Sequence, residues 1–234
     1  MHADDSDVHF HVHPKVRALL QRPQFAQRTP EWYEARRGLI TASDAAAALG
    51  IKPFASYKGC PRADLLQKKL ENRPFTSIFV EHGVKYEDEA RDAAMQQLGM
   101  RALDFGLLRH PELPWLGASP DGVTACGLCI EVKCPLRRKI SDEVPEHYMP
   151  QVQVQMQVCG LDETLFIQYR PAVLTKAEPY LCITRVRRDD AWFERAKPLL
   201  KSFFDEYQRA LETYVPEPPP PPPPCLVQPL MYEA

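Results

Sequence analysis

No stretch of the chain approaches the ~18 uninterrupted apolar residues that a membrane-spanning helix requires, so a transmembrane protein is not expected. The first residues, MHADDSDVHFHVHP, carry acids and histidines where a secretory leader has positive charge followed by an apolar run, and secretion is not expected either. A surplus of one charge is also missing. The 29 basic residues face 31 acidic ones, a net charge of −2, so no global field draws the protein toward nucleic acid and any such partner must be met by local basic patches. No internal repeat is visible. Paired cysteine spacing of the secreted type is absent too: the seven cysteines are an odd count spread through a chain long enough for its own core, which fits reduced thiols.

What is present is ordinary for a globular protein, at 44% hydrophobic and 26% charged residues in 234, and this excludes disorder throughout. Proline is the outlier. Nine of the 24 prolines lie from Pro216 onward, seven of them consecutive from Pro218 to Pro224. Fixed φ and missing N–H groups predict an extended polyproline II tail over 215–234, read as a spacer in preference to a docking motif. At the other end, residues 1–28 read as a flexible arm rich in Asp and His. Its alternating His9, His11 and His13 are poorly preorganised for a metal.

Between these ends the signals are globular. Thr29-Pro30-Glu31 reads as the cap, first-turn proline and early acid of a helix carrying Trp32 and Tyr33, with Trp32 a packing residue. Thr41-Ala-Ser43-Asp44 opens a second helix through the alanines that Gly50 closes, and a third runs from Pro61 to about Glu71. Three- and four-residue spacing predicts a long helix between Thr76 and Leu98, ended by Gly99. Short β-type segments come next, near 101–109, 115–124, 128–134, 163–170 and 180–187, then an amphipathic helix from about Asp189 to Tyr214. This order predicts an α/β or α+β fold with a central mixed sheet flanked by helices. The segment from His147 to Gly160 fits both periods. Val152, Val154, Met156 and Val158 alternate like a strand, whereas Met149, Val152, Met156 and Cys159 form a helical stripe with Gly160 as a cap.

The chemistry concentrates at Ser119-Pro120-Asp121-Gly122 and Glu131-Val132-Lys133. On a strand Glu131 and Lys133 share a face, and a turn near Thr124–Gly127 folds that face back beside Asp121. Two carboxylates and an ammonium then converge. Hard divalent cations take oxygen ligands, and a nearby lysine can orient or help deprotonate an attacking water, which is what phosphodiester hydrolysis needs. An exposed hairpin with an acid–base pair fits the same spacing, so Asp…Glu-x-Lys alone does not decide.

Five stretches in order, EWYEARRGLITASDA (31–45), GVKYEDEAR (83–91), SPDGV, EVKCP and MPQVQVQM, make the chain resemble the YqaJ-type viral recombinase family, relatives of lambda exonuclease with a PD-(D/E)xK restriction-endonuclease-like core. The resemblance covers about Glu31 to Pro171 and implies a nuclease domain over 29–214. It implies that Asp121 and Glu131 bind Mg²⁺ with the Val132 carbonyl, that Lys133 is catalytic, and that Glu87 reaches the metal site, through water if not directly. Two ions are implied, with Mn²⁺ able to substitute. It places Gln151 near the scissile phosphate, which tips 147–160 to helix, with Gln155 a weaker second candidate. It assigns the 5′-terminal phosphate to Arg36 and Ser43, where a guanidinium fork and a hydroxyl at a helix start suit phosphate oxygens. Arg37 and Arg137 are weaker DNA contacts, and Lys68, Lys69, Arg138 and Lys139 add local positive charge.

Two features depart from the family. Cys126-Gly-Leu-Cys129, with Cys134 beyond, has half of a zinc spacing, but three cysteines around so short a turn do not make a site, and a structural metal is not expected. The proline tail has no counterpart. The resemblance implies a Mg²⁺-dependent exonuclease that digests one strand of linear duplex DNA from its 5′ end, leaving 3′ overhangs for a single-strand annealing protein. An intracellular setting is expected, in the cytoplasm or in the nucleus or viral factory of an infected cell. Its alternatives are a flap or branch endonuclease and a non-catalytic module binding DNA ends or a recombinase. Intact Asp121, Glu131 and Lys133 argue against the last.

Relatives resembling lambda exonuclease form a trimeric ring around DNA, while a monomer is the family's alternative. A homotrimer is expected here, since a ring would retain substrate by topology and suits a chain without a strongly basic surface. Light scattering at micromolar concentration should then give three times the chain mass of 26.7 kDa. A single-chain mass with distributive digestion would rule the ring out.

Overall fold

The computed structural model describes residues 11–72 and 77–216. In chain order the elements are α1 (Pro14–Leu20), α2 (Pro30–Arg37), β1 (Ile40–Thr41), a 3₁₀ turn over Ala42–Asp44, α3 (Ala45–Ala48), α4 (Pro61–Glu71) and α5 (Ile78–Leu98). Then come β2 (Ala102–Leu103), β3 (Leu108–Arg109), β4 (Leu116–Ala118), β5 (Gly122–Thr124) and β6 (Cys129–Lys133). The chain continues through α6 (Met149–Cys159), β7 (Glu163–Arg170), α7 (Ala172–Thr175), β8 (Tyr180–Arg187) and α8 (Asp190–Thr213). Local chemistry sets these boundaries. Thr29, Ser77 and Asp189 each accept a backbone N–H of the helix turn just after them, and Gly99 and Gly160 take left-handed geometry where α5 and α6 end.

A five-stranded sheet in the order β2-β5-β6-β7-β8 is antiparallel except between β6 and β7, which run parallel and are joined by α6. A smaller sheet pairs β4 with β1 in parallel and with β3 antiparallel. The mixed sheet flanked by helices is as expected. On one face of the large sheet α5 packs Ala90, Ala94 and Met95 against Ile130, Val132, Leu165, Ile167 and Tyr169, small alanines letting the helix approach closely. On the other face α6 is enclosed among β4, the 42–44 turn, α3 and α8.

That enclosure explains the double periodicity at 147–160. A helix surrounded by packed elements has no polar stripe, and each of its glutamines must find a protein partner. They do: Gln151 Nε2 donates to Glu131, Gln153 to the Arg187 carbonyl, Gln155 to the Ile130 carbonyl and Gln157 to Asp190.

The expected flexible arm over 1–28 requires correction. Residues 1–10, with His9, lie outside the described residues, as do 217–234 of the proline tail. From His13 onward the chain is folded. The His13 N–H donates to the Ala125 carbonyl, its Nδ1 accepts from the Lys15 N–H, and Val16 and Leu19 of α1 are buried in the core. A seven-residue helix with two inward positions is too short to display a period, and the acids and histidines before it dominate the local composition.

Residues 24–28 then lie as a strap along 105–107. Phe25 bridges Leu107, Gln24 accepts the Gly106 N–H, and Gln27 donates to the Phe105 and Pro120 carbonyls. A Cβ on Gly106 would sit 2.0 Å from the Phe25 carbonyl oxygen, so this crossing requires glycine.

Leu19→Ala tests the folded status of α1. Truncating a side chain only 3% exposed should cost about 2–4 kcal/mol in denaturant unfolding, where truncation in a flexible arm would cost nothing.

Candidate active site

β5 and β6 form the predicted hairpin, turning at Gly127 with φ +98°, and the Asp121 N–H donates to the Ile130 carbonyl just ahead of β5. Asp121 Oδ2 accepts the Val132 N–H at 2.7 Å, which fixes the carboxylate against β6. Glu131 projects from β6 and is 1% exposed. Its Oε1 accepts from Lys133 Nζ at 2.5 Å and from Gln151 Nε2 at 2.6 Å. Its Oε2 is buried with no hydrogen-bond partner. α5 brings Glu87 to the same cluster, where Arg28 Nη2 meets Glu87 Oε2 at 2.7 Å. The structure thus brings together Asp121, Glu131, Lys133, Gln151 and Glu87.

The electrostatics result from that crowding. Burial, then the Asp121 charge, pushes Glu87 up to about 7, with Arg28 pulling the other way. Burial pushes Glu131 up to about 8 against the pull of Lys133, and burial also raises Asp121. Burial disfavours the Lys133 charge, but Glu131 and Asp121 together outweigh it, so the lysine is held as an ammonium in the cation-free protein. Three carboxylates against one ammonium and the flanking Arg28 leave uncompensated negative charge in a low-dielectric pocket, which titrates as a set.

Such a site fits a hard divalent cation. The unpartnered Glu131 Oε2 is an orphaned acceptor, and Asp121, Glu131 and the Val132 carbonyl are all oxygen donors. Among the described residues no three His, Cys, Asp or Glu side chains could hold a metal ion by themselves. Two carboxylates and a main-chain carbonyl suit an ion that keeps several of its waters, as Mg²⁺ does. Cys126 is exposed in the hairpin turn, Cys129 is buried against Cys159, and Cys134 is half-buried beyond β6.

A second cluster gathers the other candidates. Arg36 Nη2 donates to Ser43 Oγ at 3.0 Å and lies 3.4 Å from Thr41 Oγ1, while its guanidinium stacks 4.2 Å over the Trp32 ring. Thr41, not Ser43, takes the cap position, in a reciprocal box with Asp44. It opens a 3₁₀ turn and a four-residue helix rather than one long helix, so this cluster presents hydroxyls and a guanidinium and not a long helix end. Lys69, counted among the local positive charges, instead turns inward to Asp44 at 3.3 Å with a side chain 9% exposed. Trp32 Nε1 donates to Ser119 Oγ at 2.9 Å, joining this cluster to the residue two before Asp121.

Gln155 requires correction as a DNA contact. It is 1% exposed and bonded to the Ile130 carbonyl, so it braces β6 from inside. Arg37 and Arg137 are exposed, the latter 6.0 Å from the Phe79 ring. Sequence reading missed Arg28, Thr41 and Ser119. Arg28 stands in what looked like an arm, and no sequence signal singled it out. Its φ of +66° is the left-handed region, which costs a residue with a Cβ roughly 1–2 kcal/mol.

Solved structures share this architecture. An alkaline exonuclease from Laribacter hongkongensis, LHK-Exo, aligns at TM-score 0.61 and 27% identity over 79% of this chain and 95% of that one. The same enzyme in complex with dAMP gives 0.64 and 25%. A phage-related exonuclease from Haemophilus somnus, at 12% identity and TM-score 0.56, shares the fold. By sequence, an uncharacterised protein of Acanthamoeba polyphaga mimivirus is 30% identical over 62% of this chain, and an African swine fever virus protein is 29% identical over 59%. The chain spans only 29% and 47% of the lengths of those two relatives. Residues 31–162, more than half of the chain, match the YqaJ-like viral recombinase domain, and the chain belongs to that family.

Proposed function

We propose that the chain is a divalent-cation-dependent deoxyribonuclease that digests one strand of linear duplex DNA from a 5′-phosphorylated end, leaving 3′ overhangs for a single-strand annealing protein. The observation that carries this reading is buried Glu131, one oxygen bonded to Lys133 and Gln151 and the other free, beside Asp121. The exonuclease names of the structural neighbours support it, as does dAMP in one of them, a deoxynucleoside monophosphate such as an exonuclease releases.

When bound, the cation would supply Lewis-acid stabilisation of charge developing on the phosphate. Asp121, Glu131 and the Val132 carbonyl would hold it, with Glu87 near. Lys133, bonded to Glu131 beside the cation position, would orient the attacking water and help move its proton. Gln151 fixes the Glu131 carboxylate in its rotamer without adding charge. Arg36, Thr41 and Ser43 form a preorganised cluster for a terminal phosphate, the guanidinium steadied by Trp32.

Digestion of linear duplex in Mg²⁺ should favour 5′-phosphate over 5′-hydroxyl ends, and Arg36→Ala should erase the preference. Degradation from 3′ ends, or cutting of closed circles bearing a flap, would overturn the polarity. Asp121→Asn, which keeps an acceptor for the Val132 N–H, should abolish cleavage in a folded protein. Lys133→Ala should lower turnover by about 10²–10⁴-fold.

Stability should depend on pH with a definite sign. In the unfolded chain Glu131 and Glu87 titrate near about 4.3. Folded, they titrate at about 8 and about 7, so between these limits the native state holds protons that the unfolded state has lost. The cation-free protein should therefore lose stability as pH rises from about 5 to 8. Glu131→Gln should flatten that fall, and millimolar Mg²⁺ should offset it in the wild type alone. Thermal melts across the range decide.

A further inference from the structure

Beside Asp121 a cavity of about 530 Å³ opens between α5 and the strap of residues 24–28. Its lining carries four carboxylates, Glu87, Asp88, Asp104 and Asp121, against two guanidiniums, Arg28 and Arg91. The two arginines are held differently. Arg91 is bound on three sides, by Asp104, Asp88 and the Asp121 carbonyl. Arg28 makes one ion pair among the described residues, Nη2 to Glu87 Oε2 at 2.7 Å, and its side chain is 43% exposed. It is also one of three non-glycine residues with positive φ among those described. The backbone bonds of Phe25 and the double donation of Gln27 hold it in that conformation, at a position where glycine would be relaxed.

Resting on the nuclease reading above, we propose that Arg28 is an exchangeable counter-ion. It occupies Glu87 while the site is free of cation. When a divalent cation draws Glu87 inward, the released guanidinium binds a non-bridging oxygen of a DNA phosphate in the adjoining cavity. The exchange couples loading of cation to loading of DNA, since a pocket lined mostly by carboxylates repels the backbone until its charge is met. A guanidinium fork suits both partners in turn, because it pairs with carboxylate and phosphate by the same geometry.

The test uses the full chain, Arg28→Gly and Arg28→Lys. Calorimetric titration with Mn²⁺ alone should show Arg28→Gly binding the ion at least about threefold more tightly than wild type, a competitor having been removed. Fluorescence anisotropy with a 5′-phosphorylated duplex should show Arg28→Gly weakened about tenfold in Ca²⁺ and nearly unchanged in EDTA, with Arg28→Lys intermediate. The melting temperature of Arg28→Gly should not fall, because glycine relieves the left-handed backbone. Unchanged or weaker Mn²⁺ binding overturns the proposal, as does equal loss of DNA affinity with and without cation. A marked drop in melting temperature reassigns Arg28 to the fold. Neither measurement needs turnover. An inactive wild type therefore refutes the nuclease reading separately, while the Mn²⁺ titration still decides the exchange.

Discussion

A carboxylate kept from water with one oxygen unsatisfied is among the least favourable groups a protein can bury, and Glu131 sits at the centre of this fold in that condition. Much of the surrounding structure is arranged to hold it there. β6 is an inner strand of the large sheet, flanked by β5 and β7, so its backbone cannot yield. α5 closes one face with alanines, α6 closes the other with a glutamine aimed at the carboxylate, and Lys133 supplies the single ammonium. The crowding that remains is met by protons, with Glu131 and Glu87 held well above the usual carboxylate range.

The same constraint accounts for what could be read from the amino acids. Caps are local, so Thr29, Gly99 and Asp189 marked their helix ends without help from tertiary contacts, whereas Gly160 became a cap only once the family pattern made 147–160 a helix. Asp121, Glu131 and Lys133 are joined by one short hairpin, and strand alternation was enough to bring them together. Glu87 comes from a helix more than thirty residues upstream of Asp121, and only the family pattern picked it out of an acidic run.

The failures share a cause. Gln155 has the composition of a surface residue, yet it lies inside because α6 is enclosed by packed elements and satisfies its amides within the protein. Lys69 looked like part of a basic run but pairs inward with Asp44. The segment before Thr29 has only two inward apolar positions in α1, and its other anchors are two backbone bonds, to Leu107 and Ala125, and the Gln24 and Gln27 amides bonded to backbone groups, none of which makes a hydrophobic period. Gly106 is the one residue that records the crossing, and a lone glycine serves equally well in a turn, a bulge or a helix cap.

The four glutamines of α6 also divide the molecule into stiff and compliant parts. Their amides reach β6 twice, the end of β8, and the first residue of α8, so turning or sliding the helix by one residue would break contacts to the middle strand and to the edge strand together. Helix and sheet therefore behave as one rigid frame. The strap of residues 24–28 and the N-terminal turns of α5, with exposed Ile78, Phe79 and Val80, stand outside this network of amides. Glu131, carried on that frame, therefore keeps its spacing to Lys133 and Gln151 whatever conformations the strap and the start of α5 adopt.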